Sequence, residues 1–436
     1  MKFASTLFLA IASASTAQGQ DFVGAVYAMS NKFDGNSVVA YGRNDNGRLT
    51  LIGEFSTGGN GAAFDGGEGL DPLISANSLH VTESLGDDRF LLAVNAGSNT
   101  VSSFRIDRDD WSLQLMSKTQ IPSCVGPNSI ASYGKLVYVT CIDADGEFTG
   151  EPDQEGSVSG FVLKLGKLLP LARSTRLLNN RPSDVHFSPD GRFLLISAIN
   201  AGSAALPNED NEEIVLYRVN SQTGMLDQNA LASTASTEVD NRENRNLASA
   251  IGFAVVEADG QTYVVVSEAR EFQANGSPPA FPALQTGSVS TWRLTSNGRR
   301  FVPVDIDVFA GDSVTDGQRT SCWLDFSLDQ AYFWVANALE STISTYRFNQ
   351  GSIEVVEQVA AQGAVVPVGL SPQESFARSD GFVDMQRSDD GEYLYQLYGL
   401  AGTIGVYKTN NDGSLDIIQE VSGELPVTNT QGLVAI

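Results

Sequence analysis

PSDVHF (182–187), SPDG (188–191), RFLLISAI (192–199) and EEIVLYRV (212–219) read as strand, turn, strand and strand, and Thr223-Gly224 announces a turn into a fourth. Pro and Gly stand where a tight turn needs them, and the runs between are rich in β-branched and aromatic residues. The unit recurs. Residues 388–391 read SDDG, followed by EYLYQLYG (392–399), TIGVYKT (403–409), Asp412-Gly413 and SLDIIQEV (414–421). Seven third strands end in an aromatic: Tyr41, Phe104, Phe161, Tyr217, Trp292, Tyr346 and Tyr407, at intervals of 63, 57, 56, 75, 54 and 61 residues. A repeat of that length with four strands per unit predicts an all-β, seven-bladed β-propeller with four-stranded antiparallel blades.

The expected blades run over 24–57, 77–121, 127–178, 182–234, 250–308, 320–360 and 381–423. The first has only three strands of its own. The segment TQGLVAI (430–436) is expected to supply the missing inner strand and zip the ring shut, leaving no long unpaired edge. Because each blade buries its faces only against its neighbours, residues 21–436 read as one domain despite their length.

Residues 1–20 have a lysine at position 2, an apolar run from Leu7 to Ile11 and small residues at 15–17. They read as a secretory signal peptide cleaved near 17–20, so the mature protein is expected to be exported and extracellular. No later run approaches the ~20 apolar residues of a membrane helix. The net charge of −25 and pI of about 4.3 disfavour nucleic acid and anionic membranes as partners. The expected partner is a small molecule or an extracellular glycan or protein, and the protein is expected to be monomeric. Of three cysteines, Cys124 and Cys141 flank the first two strands of one blade and are the best-placed pair. Their spacing across the turn leaves the unbridged arrangement open. Asn275-Gly276-Ser277 is a glycosylation sequon followed by Pro278.

The long segments 142–156, 200–213 and 269–287 all join a second strand to a third. Segments 58–76, 235–249 and 363–380 join one blade to the next. Both kinds of link lie on one face, so the site is expected there.

On these residues the chain resembles a known family. SLHVTESLGDDRFLLAVNAGSNTVSSFRI (78–106), the preceding GGEGLDPLISANS (66–78), SPDGRFLL (188–195), VVSEA (265–269) and TSCW (320–323) resemble the secreted branch of the lactonase-type seven-bladed propellers. That family includes the propeller-type 6-phosphogluconolactonase and fungal 3-carboxymuconate cyclase. The resemblance spans the whole mature chain. It implies His, Arg and Glu at the mouth of the central channel. Here Asn128 stands where a histidine is expected, Asp184 takes another histidine slot, and Glu268 occupies the glutamate position.

Glu268 and Arg270 are therefore the candidate acid/base and anion anchor, against the plainer reading of an ion pair that steadies the following loop. Asn128, Asp184 and Trp323 are expected to line the site, with His80 and Cys322 near its mouth. Cys322 has no histidine in its segment and reads more readily as packing. His186, between Val185 and Phe187, reads as a core histidine. The acidic segment 143–155 offers carboxylates to Ca²⁺ but lacks the EF-hand continuation, and reads as a solvated loop. No zinc cluster or phosphate loop is present in the sequence, so no cofactor is expected. Two functions fit: a secreted enzyme that hydrolyses or forms a lactone of a small carboxylated substrate at the channel mouth, or a non-catalytic extracellular or cell-wall binding propeller.

Overall fold

A computed structural model describes residues 22–62, 72–83, 85–86, 88–143, 156–199, 214–234, 245–272, 286–308, 319–366 and 377–436. Side chains at 245–249, 270–272, 286 and 308 lie outside that description. Seven antiparallel sheets are present, and the innermost strand of each (strand a) contacts that of the next in an unbroken circle. Strands a are Leu433–Ala435 in blade 1, Leu79–Val81 in blade 2, Val125–Tyr133 in blade 3 and Arg181–Phe187 in blade 4. Arg245–Ala258, Ser321–Phe326 and Phe382–Arg387 follow in blades 5 to 7. The C-terminal strand Leu433–Ala435 pairs with Gly24–Met29, so the end of the chain completes the first blade. Blade 3 departs slightly from four strands, because Lys167–Pro170 and Arg176–Leu178 share its outer position.

The repeated aromatic explains how the blades stack. None of the seven is more than 5% exposed, and each is worth about 1.5–3 kcal/mol of burial. In five blades the pairing of the third strand (c) with the outer one (d) slips by a residue at that aromatic, between Ala40/Tyr41, Ser103/Phe104, Thr291/Trp292, Thr345/Tyr346 and Val406/Tyr407. Such bulges add local twist, which a fanned stack of sheets requires. A second series of bulges bends the inner strands, at Pro127/Ser129, Pro182/Asp184, Ser321/Trp323 and Val383/Met385.

Neighbouring blades are also clasped through the turns that join strands c and d. The carbonyl of such a turn accepts a hydrogen bond from the preceding blade. Tyr27 Oη donates to Trp111 O at 3.0 Å, Ser117 Oγ to Gly166 O at 3.1 Å and Tyr138 Oη to Gly224 O at 2.7 Å. Thr291 Oγ1 donates to Gly351 O, Trp334 Nε1 to Gly413 O at 2.9 Å, and Tyr395 Oη to Gly47 O at 3.3 Å. A disulfide joins Cys124 to Cys141 with the Cα atoms 5.4 Å apart, and Cys322 is a buried free thiol. Among the described residues no helix is long and apolar enough to cross a membrane.

Candidate functional site

Strand a of every blade runs along the axis, and alternate residues face the channel. The turn serines Ser188, Ser327 and Ser388 give a common origin. Two residues before each stand His186, Asp325 and Gln386, and two before those stand Asp184, Trp323 and Asp384. The six lie in two tiers around the channel. All six line a narrow cavity of about 100 Å³ with Gly252 and Phe253. A wider cavity of about 340 Å³ lies below it, lined by His80, Ser132 and Tyr133 among others. Asn77, His186 and Gln386 line both, so the two meet at His186.

Asp184 is the best-connected group in the channel. Its side chain is 1% exposed. Its Oδ1 accepts from Asn77 Nδ2 at 2.7 Å and Val185 N at 2.8 Å, and its Oδ2 accepts from Phe253 N at 3.2 Å. The same Oδ2 lies 3.0 Å from His186 Nε2. A carboxylate so placed keeps the imidazole proton on Nε2 and leaves Nδ1 as the basic nitrogen. Asn77 Nδ2 is also 3.0 Å from His186 Nε2, and the edge of Phe253 packs against the ring at a centroid distance of 4.7 Å. Asn77 reaches this position from a left-handed backbone at φ 57°, which asparagine tolerates better than most residues.

The electrostatics separate the titrating groups. Desolvation pulls His186 down, but the charge and hydrogen bond of Asp184 and the charge of Asp325 outweigh it and hold the imidazole above its ordinary range. Burial, with repulsion from His186, pushes His80 down to about 4, so it is a neutral hydrogen-bonding group whose Nε2 lies 2.8 Å from Ser132 Oγ. Burial raises Asp325 despite the opposing charge of Arg387. Burial raises Asp384 to about 7, with Asp184 adding repulsion and the N–H of Gly432 opposing. The channel thus holds an imidazole hydrogen-bonded to Asp184 beside the Asp384 carboxyl, which keeps its proton near neutrality. Among the described residues no three His, Cys, Asp or Glu groups are arranged to hold a metal ion.

Of the residues expected from sequence, Asp184, Trp323 and His80 line these cavities. Trp323 forms part of the narrow wall, with its Nε1 donating to Ser75 O at 3.2 Å. Asn128 does not reach the channel. It is buried between blades 3 and 4, donating to Pro182 O at 2.7 Å and accepting from Thr140 Oγ1 at 2.8 Å. Glu268, the candidate acid/base, is not part of either cavity. It is fully buried in Gln261–Phe272, a strand covered on both faces, and the hydroxyls of Ser288 and Ser290 donate to its two oxygens. Cys322 is likewise buried and lines neither cavity. The side chain of Arg270, the sequon at Asn275 and residues 144–155 of the acidic segment lie outside the described residues.

The wider cavity opens on the face opposite to the one expected. Ser188, Pro189, Arg89 and Asp389 at its rim belong to the short turns between strands a and b, or adjoin them. His186, Asn77, Asp325 and Asp384 were not expected in a site. The spacing of two and four residues before the turn serine is the signal that singles out all but Asn77.

Comparison with known proteins agrees with this architecture. The family model described as lactonase, 7-bladed beta-propeller, matches residues 64–240. A 6-phosphogluconolactonase from Formosa agariphila is 29% identical over 215 residues, which cover 47% of this chain and 54% of that protein; the match therefore spans about half the length of the relative. A Bacteroides fragilis structure, provisionally assigned as a 6-phosphogluconolactonase, superposes with a TM-score of 0.59 at 14% identity, covering 95% of this chain and 98% of the other. A hypothetical selenium-binding protein from Sulfolobus tokodaii gives 0.61 at 10% identity over 96% and 94%. At these identities the two structures speak to the fold alone.

Proposed function

We propose that this chain, which is similar over residues 64–240 to the seven-bladed lactonase propellers, hydrolyses a small lactone in its central channel, with His186 as general base. The observation that carries the reading is the Asp184–His186 contact of 3.0 Å at the junction of two cavities. Water bound beside Nδ1 gives up a proton to it as the water oxygen attacks the lactone carbonyl carbon. Asp184 stabilises the imidazolium that forms. The protonated carboxyl of Asp384 is the hydrogen-bond donor for the oxygen that gains charge. Collapse of the tetrahedral intermediate breaks the bond to the ring oxygen, which takes the proton back from Nδ1. The product is the open hydroxy acid, and no redox cofactor is needed. Export and action outside the cell, read from residues 1–20, belong to the same proposal.

Hydrolysis of aliphatic, sugar and muconate-derived lactones by the wild type, His186→Gln and Glu268→Gln tests it. The expected result is turnover that falls by about 10²–10⁴-fold in His186→Gln. Glu268→Gln, if it folds, retains most of the rate. The reverse pattern would return the site to blade 5. Absence of turnover on every lactone would favour the extracellular binding propeller.

A further inference from the structure

The charges around the two cavities narrow the ligand further, on the premise that the channel is where substrate binds. Asp184, Asp325, Glu83 and Asp389 line them together with Asp384, whose carboxyl keeps its proton near neutrality and so offers no positive charge either. Arg89 is the single lining arginine among the described residues, and no lysine joins it there. It is already engaged: Nη1 pairs with Asp389 Oδ2 at 2.8 Å, from blade 2 to blade 7, and Nε donates to Thr82 O at 3.2 Å. His186 is held by Asp184. Nothing cationic in the described lining is left to neutralise a phosphate or a second carboxylate, and the net charge of −25 adds long-range repulsion. What the lining does offer suits hydroxyl groups. Carboxylates and the Gln386 carbonyl accept from them, Ser132 can donate, and Trp323 with Phe253 supplies an apolar wall for a ring face.

We propose that the channel takes an uncharged, hydroxylated ring through the mouth on the short-turn face and discriminates against its anionic counterpart. The proposal rests on the hydrolase reading for its reaction, and it gives that reaction a direction of release. The lactone is neutral, whereas the hydroxy acid that replaces it is an anion among carboxylates.

Binding is measured apart from turnover, by calorimetric titration of the full-length protein with 1,5-anhydroglucitol and with its 6-phosphate, neither of which can be hydrolysed as a lactone. The uncharged ring is expected to bind at least about tenfold more tightly, with the gap shrinking at high salt. Asp389→Asn releases Arg89 and is expected to strengthen the phosphate ester by about fivefold. Equal or tighter binding of the phosphate ester by the wild type would overturn the inference, and so would failure of both rings to bind. Binding of the uncharged ring without hydrolysis of any lactone would leave the inference standing and remove the hydrolase reading.

Discussion

Replacing Asp384 by asparagine should make the protein more stable, and by an amount that depends on pH. The carboxyl is 4% exposed, faces Asp184, Asp325 and His186 across the narrow cavity, and accepts Gly432 N at 2.8 Å. Burial moves its pKa from 3.8 to about 7. Above about pH 4 the unfolded chain loses this proton while the folded chain keeps it, so the unfolded state gains ground until the folded group also ionises near pH 7. About three pKa units at 1.36 kcal/mol each set a ceiling of about 4 kcal/mol on the penalty. Asparagine has the same shape, keeps an acceptor for Gly432, and carries no proton to lose. Urea unfolding of both proteins at about pH 4, 6 and 8 should give nearly coincident curves at the lowest pH. The mutant advantage should widen at pH 6 and level off above 7. A difference that is constant with pH, or a mutant that loses ground as pH rises, would refute the reasoning.

The pH–rate profile of lactone hydrolysis should rise through a pKa above the ordinary histidine value, because the base must be unprotonated and Asp184 holds His186 high. In Asp184→Asn that limb should move to lower pH while the plateau rate falls. Loss of the Cys124–Cys141 bridge, which closes a 17-residue separation, should cost about 3 kcal/mol in denaturant unfolding of Cys124→Ser under non-reducing conditions. Gly191→Ala should cost about 2 kcal/mol by the same assay. The residue has φ 68°, and a Cβ there would lie 2.3 Å from Cε1 of Tyr133.

Most of the architecture was legible because it is written in local pattern. The aromatic that ends each third strand, the Ser-Pro-Asp-Gly turn and the orphaned inner strand at 433–435 are features of short segments, and they placed the blades within a few residues. The site is different in kind. His186 looked like core because its strand alternates apolar and polar residues, yet the same alternation points it at the axis. Asp325 and Asp384 acquire meaning only when strands a from blades 4, 6 and 7 are laid side by side. Asn77 enters from a link whose left-handed turn no periodicity reveals. Glu268 sat at a position suggested by resemblance, but Ser288 and Ser290 on the adjoining strand close over it. The Cys124–Cys141 spacing looked awkward across a regular hairpin. Cys141 pairs across the ladder with Pro127, and the chain just before strand a brings Cys124 to a Cα distance of 5.4 Å from it.

At six of the seven junctions a hydrogen bond runs from one blade to the c–d turn of its successor, which makes the molecule a hoop gripped almost all the way around. A hoop distributes load, so a loosened clasp at one junction is shared around the circumference instead of opening a seam. The width of the central bore is then expected to follow from the rim as a whole. Remote substitutions of the donors Tyr27, Tyr138 or Trp334, none of which lines either cavity, become a way to tune how widely the bore opens without touching a residue that faces it.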